Sequence, residues 1–263
     1  MIIRSSEASH WYDAQGRARH SVPNKSKPGT MRNTTLRDAR KENLRPSVTN
    51  VLGSVLANKQ LQDWKMTQVL MAALTLPRLD NETLDDFAAR AVKDAQEHVE
   101  NAANFGTTLH RYIESYLVSG ASMADAECQP YMDRVIEWMT NNVEECLYAE
   151  GTVVGNGYAG TVDFVGRIKG RGLGILDFKT RKRSKWSGKI EAYEKDCSQL
   201  AAYRDAMPEL DIQFVANLLI NSEAPETPVL HVWGEDERIR CGKIFNHALD
   251  IWCLQRNYDP RES

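Results

Sequence analysis

The chain has 263 residues, 42% of them hydrophobic and 26% charged, which excludes collagen-like, mucin-like and wholly disordered classes and allows one large domain or a core with an attached lobe. The formal net charge of −3 is unevenly placed: residues 1–50 hold ten Lys/Arg against four Asp/Glu, or +6, which leaves −9 for the other 213. That local excess makes the N-terminal stretch a candidate phosphate contact despite the acidic total.

Residues 1–45 are rich in Asn, Ser, Pro, Gly and Arg without a sustained apolar period, which predicts a basic, loop-rich arm with no core of its own. Residues 46–147 read as helical. SVTNVLGSVL offers Ser47 or Thr49 as an N-cap, and LQDWKMTQVLMAAL continues with helical spacing. Asp80 opens NETLDDFAARAVKDAQEHVENAANF, an amphipathic helix with an acidic first turn. A further helix is expected in GTTLHRYIESYLVSG, where Leu109, Tyr112, Ile113, Tyr116 and Leu117 form an apolar face, His110 sits near the start and Gly120 ends it. One more helix is expected over about 127–147.

Residues 148–263 carry the sheet. Eight of the sixteen glycines fall between 151 and 174, interleaved with Val, Tyr, Thr, Phe and Ile, the texture of tight hairpins. Strands are predicted near 148–155, 158–168 and 173–179, then a helix over about 191–206, strands in IQFVANLLI and VLHVWG, and a final helix from about 236 to 255. This order describes an α/β domain. Gly155, Gly157 and Gly160 spell the dinucleotide fingerprint GxGxxG, but a strand-like run follows them where that fingerprint requires a helix, so it is rejected.

Five cysteines, at 128, 146, 197, 241 and 253, are scattered and contain no CxxC pair, which predicts reduced thiols and no zinc site. No apolar run approaches the roughly 20 residues that span a bilayer, and MIIRSSEASHWY is too polar for a signal peptide, so a cytoplasmic protein with no membrane partner is expected.

The segment that carries chemistry is GYAGTVDFVGRIKGRGLGILDFKTRKR, with Asp163 on one predicted strand and Asp177, Phe178 and Lys179 on the next. Side chains alternate along a strand, so Asp177 and Lys179 share a face, and hairpin pairing brings Asp163 beside Asp177. Two close carboxylates repel unless a proton or a cation lies between them, and hard oxygen donors suit Mg²⁺ or Mn²⁺. Such an ion acidifies a bound water and neutralises charge on a reacting phosphate, while Lys179 orients the attacking hydroxide. Glu150, on the first strand or its entry, is a candidate further ligand or water-activating base. Gln199 and Tyr203, at i and i+4, share one face of the following helix. Arg181, Lys182, Arg183, Lys185 and Trp186 follow the lysine directly and are candidate contacts to phosphate or a stacked base.

GTVDFVG, ILDFKT and QLAAY resemble the successive motifs of the RecB-like, Cas4-like exonuclease branch of the PD-(D/E)xK nuclease superfamily, which includes the mitochondrial genome maintenance exonuclease. The resemblance covers about residues 105–205, and PSVTNVL with LQDW is similar to the N-terminal helical part of phage and mitochondrial members. It implies a restriction-endonuclease-like core with N-terminal helical additions. It further implies that Asp163, Asp177 and the Phe178 carbonyl are metal ligands, that His110 of FGTTLH joins them, that Lys179 is the catalytic lysine, and that Gln199 and Tyr203 approach the metal and the DNA strand. Members of the branch are commonly exonucleases on single strands or DNA ends, which implies roles in recombination, repair or phage DNA processing and partners among recombination or replication proteins. Some relatives hold an iron-sulfur cluster on four cysteines, three tightly spaced near the C-terminus; that grouping is missing here, so no cluster is expected. Two alternatives stand beside this reading. One is a non-cleaving nucleic-acid-binding protein of the same fold, against which the intact Asp163, Asp177 and Lys179 argue. The other is a dimeric endonuclease or resolvase, for which the final helix offers Ile244, Leu249, Ile251 and Trp252, residues more simply read as core.

Overall fold

In the computed structural model, which describes residues 10–56, 59–121 and 123–262, the N-terminal stretch lies folded against the body. Strands β1 (Trp11–Tyr12), β2 (Ser21–Pro23), β3 (Met31–Asn33) and β4 (Arg45–Pro46) pair β1 with β4 and β2 with β3, with helix α1 (Leu36–Glu42) before β4. The Thr35 hydroxyl accepts from the Asp38 amide, the Asp38 carboxylate accepts from the Thr35 amide, and Asn43 in the left-handed region ends the helix. These short-range caps specify a helix that apolar periodicity misses. Trp11, Ala39 and Leu44 are buried in the main core, so the described part of the expected arm shares the core of the rest of the chain. Three of its arginines also pair within the stretch: Arg17 with Asp13, Arg19 with Glu42, Arg32 with Asp38. The acids in these pairs are already counted in the +6 of residues 1–50, so the cationic excess of the stretch stands; residues 1–9 lie outside the described part.

Helix α2 (Val48–Val55) starts where the Ser47 hydroxyl accepts from the Asn50 amide, and α3 (Lys59–Thr75) follows. Helix α4 (Leu84–Ser119) starts at Thr83, carries Asp85 and Asp86 in its first turn and ends at Gly120 with φ of 72°. The two helices expected on either side of Gly106 are thus one helix of 36 residues. A glycine inside a helix costs only about 1 kcal/mol, and the buried Leu109 and Ile113 anchor the helix just beyond it. Helix α5 (Gln129–Asn142) is shorter than its expected span because the chain enters the sheet at Val143.

Strands β5 (Val143–Gly155), β6 (Tyr158–Ile168), β7 (Gly172–Arg181), β8 (Phe214–Asn221) and β9 (Val229–Val232) form a five-stranded mixed sheet in that order, antiparallel except for the parallel pair β7–β8. Helix α6 (Glu194–Asp205) makes the β7–β8 crossover, and α7 (Glu235–Arg256) closes the chain. The protein is therefore α/β, with helices on both faces of the sheet. Alternation along β7 explains the layers: Ile175 points into a core with Leu200, Ala201 and Trp252, while Leu176 and Phe178 point into a core with Leu109, Ile113 and Met132. Among the described residues no helix is long and apolar enough to cross a membrane.

Candidate active site

Pairing between β6 and β7 runs from Ile168↔Gly172 to Phe164↔Leu176 and stops there. One residue further, Asp163 and Asp177 stand at opposing positions where the strands part. The Asp163 carboxylate enters the gap and accepts the Phe178 amide hydrogen at 2.8 Å. A side chain thus replaces the missing ladder bond and satisfies a backbone donor that would otherwise be unpaired.

The same alternation that buries Phe178 toward α4 turns Asp177 and Lys179 toward α6. Asp177 is 1% exposed. Its Oδ1 accepts from Lys179 Nζ at 2.9 Å and from Gln199 Nε2 at 3.2 Å, and its Oδ2 accepts from Asn217 Nδ2 at 2.7 Å. Gln199 Oε1 takes a second hydrogen from Lys179 at 3.3 Å, while its Nε2 also donates to the Tyr203 hydroxyl at 3.0 Å. Burial raises Asp177 above the ordinary carboxylate range; the Lys179 charge opposes this and Asp163 adds to it. Burial pulls Lys179 down, but Asp177, Asp163 and Asp196 outweigh it and hold the ammonium protonated.

From α4, His110 reaches the other side of the gap. Its Nε2 lies 2.6 Å from the Phe178 carbonyl oxygen and its Nδ1 3.7 Å from Asp163 Oδ2. Glu150, on β5, falls between the paired positions Ala149↔Phe164 and Gly151↔Val162 and so faces Asp163 across β5–β6. Its φ of 51° is left-handed, a conformation that costs a non-glycine residue on the order of 1 kcal/mol and is retained where surroundings enforce it. Burial pushes its carboxyl up to about 7, with Asp163, Glu114 and Asp177 adding to the shift. Glu114, one turn beyond His110 on α4, is an acidic neighbour that sequence spacing did not single out.

Four carboxylates that act on one another and a single buried ammonium leave a net negative centre. That imbalance is what a hard divalent cation corrects. As placed, no three His, Cys, Asp or Glu side chains among the described residues stand close enough together to enclose an ion. The donor set at the gap is mixed: an imidazole, the Asp163 carboxylate and a backbone carbonyl, with Asp177 beside them. Oxygen donors with one nitrogen fit Mg²⁺ or Mn²⁺ better than a thiolate-seeking ion.

A cleft of about 1710 Å³ opens from His110, Phe178 and Lys179 toward solvent. One wall comes from α3, through Trp64, Thr67 and Gln68; the other is the loop Thr180–Trp186. Trp186 is 99% exposed. Within the expected basic run the guanidiniums are already engaged. Arg181 makes two 2.8 Å bonds to Asp196 and stacks over Tyr193, and Arg183 pairs with Glu226. Lys182 and Lys185 are exposed. Gln199 and Tyr203, expected at the DNA strand, are 9% and 3% exposed and lie beneath the lysine instead of on the cleft surface. Gly160 makes room for Tyr203: a Cβ there would sit 2.6 Å from the Tyr203 ring. Asn217 was also missed, since its contact with Asp177 depends on the parallel β7–β8 register, which no local pattern reveals. No protein-family model matches the sequence, and no curated protein matches it.

Proposed function

We propose that the chain is a metal-dependent nuclease with a restriction-endonuclease-like core of the PD-(D/E)xK type, close to the RecB-like, Cas4-like exonuclease branch, which hydrolyses phosphodiester bonds in DNA. The observation that carries the reading is the Asp177–Lys179–Gln199 cluster on one face of β7, with Asp163 at the opposing position and His110 across the gap. His110, Asp163, Asp177 and the Phe178 carbonyl would hold Mg²⁺ or Mn²⁺. When bound, the cation supplies Lewis-acid chemistry toward water and phosphate.

The residues of the chain do the rest. Lys179, kept charged by its carboxylate neighbours, orients the attacking water and offsets the negative charge that grows on the phosphoryl oxygens. Glu150, with its raised affinity for protons, takes up the proton that the water loses. Buried Gln199 keeps Lys179 aimed by accepting one of its hydrogens. The cleft suits a single strand or an unpaired end: Lys182 and Lys185 meet phosphates on one wall, while Trp186 and Trp64 offer ring faces to bases. The resemblance to the RecB-like branch, and not the geometry, is what favours exonuclease action in recombination, repair or phage DNA processing. A dimeric resolvase is less favoured because Leu249 and Trp252 of α7 are buried in the core of the same chain, although Ile251, read from sequence as core, is exposed.

The test is cleavage of end-labelled linear and circular single-stranded DNA by the purified chain with Mg²⁺, with Mn²⁺ and with EDTA. Metal-dependent loss of linear but not circular substrate is expected. Equal degradation by wild-type and Lys179→Ala protein overturns the reading, and DNA binding without cleavage at any metal concentration assigns the chain to non-cleaving binding.

A further inference from the structure

Behind Asp177 lies a hydrogen-bonded chain that the nuclease reading does not require. Asp177, Asn217 and His231 occupy one row across β7, β8 and β9. Trp233 follows β9 and is fixed by its own amide, which donates to the Val215 carbonyl at 3.1 Å. Its indole Nε1 donates to Asn217 Oδ1 at 2.7 Å, and Asn217 Nδ2 donates to Asp177 Oδ2 at 2.7 Å. All three residues are buried: Asp177 is 1%, Asn217 0% and Trp233 8% exposed.

An indole nitrogen can only donate, so the amide atom facing it must be the oxygen, and the atom facing Asp177 must be the nitrogen. A flipped amide would set donor against donor at Trp233 and acceptor against acceptor at Asp177. Trp233 therefore removes one of the two orientations open to Asn217. An ionised carboxylate has about four acceptor positions. Asp177 uses three, two on Oδ1 for Lys179 and Gln199 and one on Oδ2 for Asn217. The remaining position is on the oxygen that Asn217 grips. The hydrogen bond from Asn217 thus sets the direction in which Asp177 presents its last lone pair.

Resting on the nuclease reading, we propose that Trp233 and Asn217 are positioning residues that aim the Asp177 carboxylate at a divalent cation. Neither touches DNA or the reacting atoms. Their role differs from generic core filling in that it runs through a single N–H: Trp233→Phe keeps one aromatic ring in the core and removes, with the smaller ring of the indole, the donor that sets the amide.

The experiment uses the full chain with Mn²⁺ alone as probe. Calorimetry is expected to show Mn²⁺ bound about tenfold more weakly by Trp233→Phe than by wild type, the usual scale for loss of a group that orients a ligand. DNA affinity in EDTA stays at the wild-type value, and cleavage lost at limiting Mn²⁺ returns at saturating Mn²⁺. In wild-type protein the assigned Trp233 indole N–H resonance moves on addition of Mg²⁺, and in Asp177→Asn it does not. Wild-type Mn²⁺ affinity in folded Trp233→Phe overturns the positioning role and leaves the nuclease reading intact. An indole resonance unmoved by saturating Mg²⁺ overturns it equally, without recourse to the variant's folding. Wild-type protein that takes up no Mn²⁺ overturns the metal-dependent reading and the positioning role together.

Discussion

His110 and Phe178 meet across 68 residues of sequence, with the imidazole Nε2 2.6 Å from the carbonyl oxygen. That contact requires a hydrogen on Nε2, because a carbonyl oxygen only accepts. On the proposed reading a divalent cation would take lone pairs from both groups, and would compete with that hydrogen for one place. His110→Ala is expected to weaken Mn²⁺ binding at least tenfold without unfolding the chain, since the side chain is partly exposed. Calorimetric titration with Mn²⁺ checks this, and an unchanged affinity removes His110 from the ligand set.

Lys179→Ala and Asp177→Asn are expected to lower kcat by about 10²–10³-fold, the scale for loss of one electrostatic stabiliser of the transition state. Asp177→Asn keeps the shape of the side chain, so its circular dichroism spectrum should match wild type. Initial rates on end-labelled single strands at saturating Mn²⁺ provide the measurement. A loss confined to KM would mean that these groups bind substrate without acting on the reaction.

Glu150 carries a pH dependence whose direction follows from its shift. Its carboxyl rises from 4.5 to about 7 on folding, so folding favours the protonated form. Its contribution to stability is fully present below pH 4.5 and is lost as pH rises through 7. In EDTA, Glu150→Gln should melt like wild type near pH 4.5 and later than wild type at pH 8. After discounting for solvent screening the gain is about 1 kcal/mol, or roughly 2–4 °C in Tm. Melting curves at the two pH values decide it; a difference of the same size at both would assign the effect to packing. Saturating Mg²⁺ should shrink the difference at pH 8, because the cation stabilises the ionised form.

Trp186, 99% exposed, holds nothing of the fold together. Trp186→Ala should leave Tm unchanged and weaken binding of single-stranded DNA by about 1–3 kcal/mol, the scale of one stacked base. Lys182→Ala and Lys185→Ala should each reduce the salt dependence of that binding, by roughly one phosphate contact. Fluorescence anisotropy at several salt concentrations separates the two effects. Arg181→Ala should behave differently, lowering Tm because it frees the buried Asp196 carboxylate from a two-bond partner.

Gly160→Ala places a methyl 2.6 Å from the Tyr203 ring. Overpacking of this kind costs about 1–3 kcal/mol. Because Tyr203 accepts a hydrogen from Gln199, which in turn bonds Lys179 and Asp177, activity should fall along with stability. Paired measurements of Tm and kcat test this. Lost stability with wild-type kcat would show that Tyr203 supports the fold alone.

The strands bearing Asp163, Asp177 and Lys179 were legible because alternation and hairpin glycines are local signals, and two-residue spacing fixes which side chains share a face. The α/β order was legible for the same reason. The continuity of α4 through Gly106 was not, because a glycine's small penalty is overridden by packing that involves residues far away in sequence. Asn217, Trp233 and Glu114 escaped because their positions at the site follow from strand register and helix placement. Arg181 and Arg183 looked available because a run of charge does not name its partners; Asp196 and Glu226 lie 15 and 43 residues away. Gln199 and Tyr203 were placed on the right helix, but their depth beneath Lys179 required coordinates.

Helix α4 packs against α3 in its first half, where Ala91 and Ala95 meet Ala72, and presents His110 in its second, so the Trp64 wall of the cleft and the imidazole ride on one rod. A helix advances about 100° per residue. Inserting a single residue between Ala95 and His110 would swing α3 around the rod and carry Trp64 off the cleft, while inserting seven, close to two full turns, would restore its bearing but leave it about 10 Å further along the rod. The stretch of α4 between the α3 contact and His110 therefore sets both the bearing and the distance of the cleft wall, and a change of its length by either amount should open the cleft.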